Sequence, residues 1–315
     1  MLEMMISIDS LHSSDNRVMI VDACRTPIGK TGGNLSCFNE TELMSIVLKE
    51  MYNRYKLDEC LIDDVLIGCC FSMEPRNMAK KALIMAGLPA SIPAMTINRT
   101  CASSMEAIII GAQKIRQGES DVIISGGTEN MNQNPHVMKM NIQNIRHNLK
   151  YGMPLCPEDM TEEELSDNIG KSIELMARRY SISKELQDDY AIKSHTKANR
   201  AWEKGFFNNE TISIISRGNV LVERDEGIIP VINEQDILSA SPLYFRDGTI
   251  TKYNASSISD GASALILMSM KTALENNITP MAEVVSSALI GTSFGNMGIA
   301  AAEALHKVLK RSGIK

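Results

Sequence analysis

The sequence predicts an α/β fold with a largely parallel sheet covered by helices on both faces. Three observations point there. Short β-branched runs alternate with segments of helical periodicity over roughly the first 127 residues. Two runs, Asp121–Ser125 and Ala262–Met268 (ASALILM), are apolar enough to read as fully buried strands. Between them lies a long polar stretch with weak strand signals, which reads as an excursion from the sheet.

The elements follow in chain order. Arg17–Cys24 (RVMIVDAC) reads as a strand. Thr41–Tyr55 reads as an amphipathic helix with Leu43, Ile46, Val47 and Met51 on one face. Asp64–Phe71 is a second strand, and Met78–Ala86 a helix stopped by Gly87 and Pro89. Ala94–Asn98 is a short strand. Ser103–Arg116 is a helix ended by Gly118, with a stripe of Met105, Ile108, Ile109, Ala112 and Ile115. Its opposite side, Ile110 and Gly111, is apolar too, which predicts a buried helix. Asp121–Ser125 runs into a turn at Gly126-Gly127. In the polar region one helix stands out, Lys184–Lys204, with a cap-like Ser181-x-x-Lys184-Glu185 before it. After Ala262–Met268, a strand over Met281–Ile290, a loop and a helix over Met297–Arg311 repeat the opening order. That helix is expected to bury Ile299, Leu305, Val308 and Leu309, with Gly313 as its stop. A half-built repeat leaves an unpaired sheet edge and an uncovered apolar face, so more structure is expected after Lys315.

Composition narrows the function. The 315 residues suffice for one large or two ordinary domains. The net charge is −6 and the 32 basic residues are scattered, which argues against nucleic-acid or anionic-membrane binding. No apolar run reaches the roughly 18 residues of a membrane span. The opening MLEMMISIDSLHSSDN lacks the features of a signal or transit peptide. The seven cysteines have no paired spacing, which fits free thiols in a reducing cytoplasm. With no CxxC and no HExxH, no metal site is expected. The 21 methionines read as core filler.

One segment carries chemistry. Asn98-Arg99-Thr100-Cys101-Ala102-Ser103-Ser104 joins a short strand to a helix. A cysteine at a helix N-terminus faces free backbone N–H groups and the positive end of the dipole, the setting an acyl-transfer nucleophile needs. Most free cysteines are small buried hydrophobes, and position alone leaves both roles open for Cys101.

Five segments, read together, resemble the thiolase family of acyl-CoA acyltransferases. They are VDACRTPIGKTGGNLS (Val21–Ser36), INRTCASSMEAI (Ile97–Ile108), SGGTENMNQNP (Ser125–Pro135), RDEGI (Arg224–Ile228) and NASSISDGASALILMS (Asn254–Ser269). The resemblance implies a thiolase-like fold of two similar βαβαβ halves with an inserted loop domain, the second half truncated. Residues 1–127 and 251–275 would form the first half, 128–250 the CoA-covering insertion, and 276–315 the start of the second half. It implies Cys101 as the residue that carries the acyl group as a thioester, and Ser256 as a contact to the CoA pantetheine. The substrates would be coenzyme A thioesters such as acetoacetyl-CoA or 3-ketoacyl-CoA, with no further cofactor. It also implies a homodimer or homotetramer. A ketoacyl-ACP synthase shares the two-half fold and the cysteine, but the Cys-Ala-Ser-Ser and Asn-Ala-Ser-Ser-x-Ser-Asp-Gly-Ala strings fit thiolase better.

The sequence also departs from the family. The Asn-Glu-Ala-Phe, Gly-His-Pro and Cys-x-Gly-Gly-Gly segments, which supply the oxyanion water, the activating histidine and the α-carbon proton exchange, do not occur in it. None of the histidines, His12, His136, His147, His195 and His306, has a Gly-His-Pro context. Asn168 stands where a CoA-side histidine is usual, and Ile229 where an arginine is usual; an isoleucine cannot meet a phosphate. Losing an oxyanion donor costs about 10²–10³ in rate and an acid–base partner about 10²–10⁴. Two readings follow. Either a complementing C-terminal thiolase polypeptide, or a longer chain, supplies the rest of an active enzyme, or the chain is a non-catalytic paralogue that binds acyl-CoA or a partner subunit.

Overall fold

Strand residues one apart point to opposite faces, and that alternation builds two apolar layers. The computed structural model describes residues 17–55, 61–72, 76–133, 169–215, 220–231, 233–292 and 296–314. The chain opens β1 (Val18–Arg25), β2 (Gly29–Lys30), α1 (Glu40–Tyr55), β3 (Asp64–Gly68), α2 (Met78–Met85), β4 (Ala94–Ile97), α3 (Ser103–Arg116) and β5 (Val122–Asn130). It continues with α4 (Ile169–Arg179), α5 (Lys184–Glu203), the short pair β6 (Ile214–Ile215) and β7 (Leu221–Val222), and α6 (Glu234–Leu238). It closes with β8 (Ser259–Ser269), α7 (Met270–Glu275), β9 (Ala282–Glu283) and α8 (Met297–Ser312).

The sheet order is β4-β3-β5-β8-β1-β9, with β2 pairing the start of β8. Val65, Ile67, Val122, Ile124, Ile266 and Met268 point to one face, against Leu43, Val47 and Met51 of α1 and Ala82 and Leu83 of α2. Their neighbours Leu66, Ile123 and Leu267 point to the other, against Ala107, Ala112 and Ile115 of α3. Several methionines fill the first layer, Met44, Met51, Met78 and Met268 among them.

The sheet is mixed rather than largely parallel. β3 runs parallel to β4 and β5, but β8 is antiparallel to β5, β1 and β2, and β9 to β1. The reason lies in where the chain leaves the sheet. It exits β5 at Asn130 and re-enters at Asp260, the register partner of Asn130. The polar excursion is therefore inserted into the turn of a hairpin, and a hairpin is antiparallel.

Most helix boundaries agree with the sequence pattern, and Gly87, Gly118 and Gly313 each adopt positive φ just past α2, α3 and α8. The cap of α1 is a reciprocal box that the sequence reading passed over. Asn39 Oδ1 accepts from Glu42 N–H at 2.8 Å, and Asn39 N–H donates to Glu42 Oε2 at 2.9 Å. The hydroxyl at the start of α5 belongs to Ser183, which accepts from Leu186 N–H at 3.4 Å. Ser181, the expected cap, has φ 53° in the turn before it. The expected strand over Met281–Ile290 reduces to Ala282–Glu283. The ladder to β1 ends there, and the guanidinium of Arg116 takes the Val284 carbonyl.

The described residues fall into two compact units. The first holds those within 1–133, 201–228 and 257–287, and contains the sheet. The second holds those within 134–200, 229–256 and 288–315. The described residues within 201–228 pack with the sheet because Arg25 of β1 binds Glu210 and Asp225 at 2.8 and 2.7 Å. Residues 276–287 do so because β9 extends the ladder of β1.

In the second unit, α4 carries a fully buried carboxylate. Glu174 accepts from Thr249 N–H at 2.8 Å, Thr249 Oγ1 at 3.0 Å and Ile250 N–H at 2.7 Å. Glu174→Ala orphans these donors and is expected to cost about 3 kcal/mol, read as a lower urea midpoint. An unchanged midpoint would show that the loop closes without it. α8 meets α4 where Gly298 approaches Ile173 and Met176. It buries no residue fully, and Leu305, expected inside, is 56% exposed. No described helix is long and apolar enough to cross a membrane.

Candidate functional site

The segment from Asn98 to Ala102 carries the chain from β4 into α3. Thr100 within it has φ 48°, a left-handed conformation that a β-branched residue rarely adopts. Side chains hold it there. Asn98 Oδ1 accepts from Thr100 N–H at 2.9 Å, and Asn98 Nδ2 donates to the Cys70 carbonyl at 2.9 Å. From the other side, Ser103 Oγ accepts from Arg99 N–H at 2.8 Å and donates to the Thr100 carbonyl at 2.5 Å. Arg99 Nη2 donates to Glu106 Oε1, one turn into α3, at 3.0 Å, and the two side chains form an ion pair. Cys101 follows Thr100 and is exposed rather than buried. Met105, expected in the stripe, is 64% exposed, while Glu106 on the packed side is nearly covered.

Two glycines let this turn sit low on the sheet. A Cβ on Gly68, the last residue of β3, would lie 2.3 Å from Ser103 C and Ser104 N. A Cβ on Gly127 would lie 2.4 Å from Ser104 Cβ. Gly126 and Gly127 do not form the expected turn. They lie inside β5 without positive φ, and what they supply is space.

The remaining thiols are differently placed. The described cysteines Cys24, Cys37, Cys69, Cys70 and Cys101 are all free, and among them only Cys101 is exposed. Burial pushes the Cys24 thiol up to about 12. Burial also raises Cys69, with the Glu129 and Glu40 carboxylates adding to it. Both stay protonated near neutral pH and are poor nucleophiles. Burial raises Cys70 as well, opposed by its contact to Ser103 Oγ at 3.8 Å. The loop carrying Cys70 is fixed by Glu129 of β5, whose carboxylate accepts from Cys70 N–H at 2.8 Å and Phe71 N–H at 3.1 Å.

The other motif segments prove to be partners of one another. Asp225 accepts from Arg25 Nη1 at 2.7 Å, Ile28 N–H at 2.8 Å and Trp202 Nε1 at 3.1 Å. Glu226 accepts from Asn34 N–H at 2.9 Å and Asn34 Nδ2 at 2.8 Å. Asn132 accepts from Gly32 N–H at 2.9 Å and donates to Asp260 Oδ2 at 2.5 Å. These segments meet around the open end of the β5–β8 hairpin.

A model of the thiolase N-terminal domain family matches residues 18–271. The chain belongs to the thiolase family. It is 35% identical to a beta-ketoadipyl-CoA thiolase of Pseudomonas aeruginosa, over 93% of this chain and 76% of that protein. It is 36% identical to a mitochondrial acetyl-CoA acetyltransferase of Danio rerio, over 97% and 74%. Among solved structures, the Bacillus anthracis acetyl-CoA acetyltransferase matches with TM-score 0.85 at 32% identity, over 95% of this chain and 77% of that one. Human mitochondrial 3-ketoacyl-CoA thiolase in complex with CoA matches with TM-score 0.84 at 31% identity, over 96% and 77%. The thiolase fold and acyltransferase class expected from the five segments therefore hold.

Within this thiolase chain Ser256 lies in the second unit and is exposed. Its neighbour Asn254 donates to Asp188 Oδ1 of α5 at 2.8 Å and to the Thr249 carbonyl at 3.0 Å, which fixes the turn before it. Ile229 N–H donates to His195 Nδ1 at 3.2 Å, so the residue at the arginine position uses its backbone. His306 is exposed and bonds the Ala302 carbonyl of its own helix at 3.0 Å. Asn168, His12, His136 and His147 lie outside the described residues. Sequence reasoning passed over Asn98, Ser103 and Glu129; the signal for the first two was their place within three residues of Cys101.

Proposed function

We propose that this thiolase-family acyltransferase carries its acyl group on Cys101 and exchanges it with coenzyme A. The observation that carries the reading is the exposed Cys101 beside the left-handed Thr100, at the start of α3. The sulfur attacks an acyl-CoA thioester carbonyl. The carbon–sulfur bond to CoA breaks, the Cys101 thioester forms, and the thiol proton leaves with the CoA sulfur. Ser256, beside the braced turn at Asn254, serves as the pantetheine contact. Acetoacetyl-CoA and 3-ketoacyl-CoA are the proposed substrates, by likeness to the named relatives. Residues within 1–127 and 251–275 are read as the first thiolase half, those within 128–250 as its insertion and those within 276–315 as the start of the second half. A further thiolase segment supplies the histidine base and the second cysteine, and the assembly is a cytoplasmic homodimer or homotetramer.

Incubation with isotope-labelled acetyl-CoA, followed by peptide mass spectrometry, tests the first step. The acetyl label is expected on the Cys101 peptide, removable by added CoA and absent in Cys101→Ala. Label that persists elsewhere in Cys101→Ala, or no label on Cys101, would overturn the assignment.

A further inference from the structure

We propose that Asn98 is the positioning residue for Cys101, bracing the strained turn that presents the sulfur; this rests on the reading of Cys101 as the acyl carrier. Left-handed φ at a threonine persists only where its surroundings hold it. Three side chains do so here, one of them its own: Thr100 Oγ1 donates to the Arg99 carbonyl at 2.8 Å. Ser103, buried at the start of α3, takes the Arg99 N–H and the Thr100 carbonyl. Asn98 takes the Thr100 N–H, in the peptide unit before that of Cys101.

Asn98 also reaches the loop after β3, which Ser103 meets only through the Cys70 sulfur at 3.8 Å. Its amide donates to the Cys70 carbonyl and so ties the turn to the loop after β3. That loop is itself held by the Glu129 carboxylate, which accepts from Cys70 and Phe71 N–H groups. The path runs from β5 through Glu129, the Cys70 backbone and Asn98 to Thr100, and ends one residue before the nucleophile. Every link is a hydrogen bond of 2.8–3.1 Å. Asn98 is exposed and fills no core, so its side chain is not needed to bury apolar surface. An asparagine suits both bonds, because one oxygen accepts and one amide donates from a single planar group.

The test measures the initial rate of acyl transfer from acetyl-CoA to Cys101 in the full chain, by peptide mass spectrometry over a range of acetyl-CoA concentrations. Asn98→Ala is expected to lower the maximal rate about tenfold, with half-saturating acetyl-CoA and melting temperature unchanged. Thr100→Gly added to Asn98→Ala removes the strain that Asn98 offsets, since glycine adopts positive φ freely. The double variant is expected to recover to within about threefold of the wild-type rate. A purely structural role predicts instead that rate and melting temperature fall together and that Thr100→Gly rescues neither. The proposal is overturned if Asn98→Ala matches wild type, or if the double variant is no faster than the single one. If wild-type Cys101 takes up no acyl group, the acyl-carrier reading fails first and the proposal falls with it.

Discussion

Gly68→Ala is expected to destabilise the sheet unit by about 3 kcal/mol and to slow acylation of Cys101 about a hundredfold. The added methyl would sit 2.3 Å from Ser103 C and Ser104 N. Both are backbone atoms in the first turn of α3, so no side-chain rotation relieves the contact. β3 cannot retreat either, because it pairs with β4 on one side and β5 on the other. The helix start must therefore lift, and it takes Cys101 with it. Urea denaturation and Cys101 acylation read the two effects. Gly291→Ala is the control, since its Cβ meets nothing within 4 Å. Equal stability and equal acylation in Gly68→Ala and wild type would show that α3 docks with more slack than these distances allow.

Removal of Asp225 should give the second large effect. Asp225→Ala orphans both Arg25 Nη contacts, the Ile28 N–H and the Trp202 indole N–H together. The Arg25 and Asp225 side chains are only 17% and 15% exposed, so water replaces the lost partners poorly. A loss of about 3 kcal/mol is expected, slightly less than for a fully buried pair because Glu210 remains on Arg25. Arg25→Met should cost less, since the Asp225 carboxylate keeps the Ile28 and Trp202 donors. The order of the two urea midpoints is the check. An Arg25→Met protein less stable than Asp225→Ala would mean that the stacking of Arg25 on Phe207, 5.2 Å from the ring centre, outweighs the carboxylate bonds.

The two predictions separate the ways in which this sequence is legible. A motif string such as RDEGI is visible in the chain, but its purpose is not. Asp225 and Arg25 are 200 residues apart, and only folding shows that one motif segment binds another. α4 was missed although Ile169, Ile173 and Met176 recur at helical spacing, because the polar residues around them masked the stripe. Met105 and Leu305 each fit an apolar period yet are exposed; the period gives a face, and the cover on that face comes from other elements.

By itself, the sequence determined the family, the nucleophile candidate, the limits of α3 and the alternation of strands and helices from β3 to β5. These are local properties: a short string around Cys101, periods of 2 and 3.6, and glycines that stop helices. The tertiary structure alone decided the antiparallel course of β8, the space required at Gly68 and Gly127, and the brace that runs from Glu129 through Asn98 to Thr100. Those depend on which distant backbone lies opposite, at what separation, and with which donor left unpaired, and the local pattern of one segment contains none of that information.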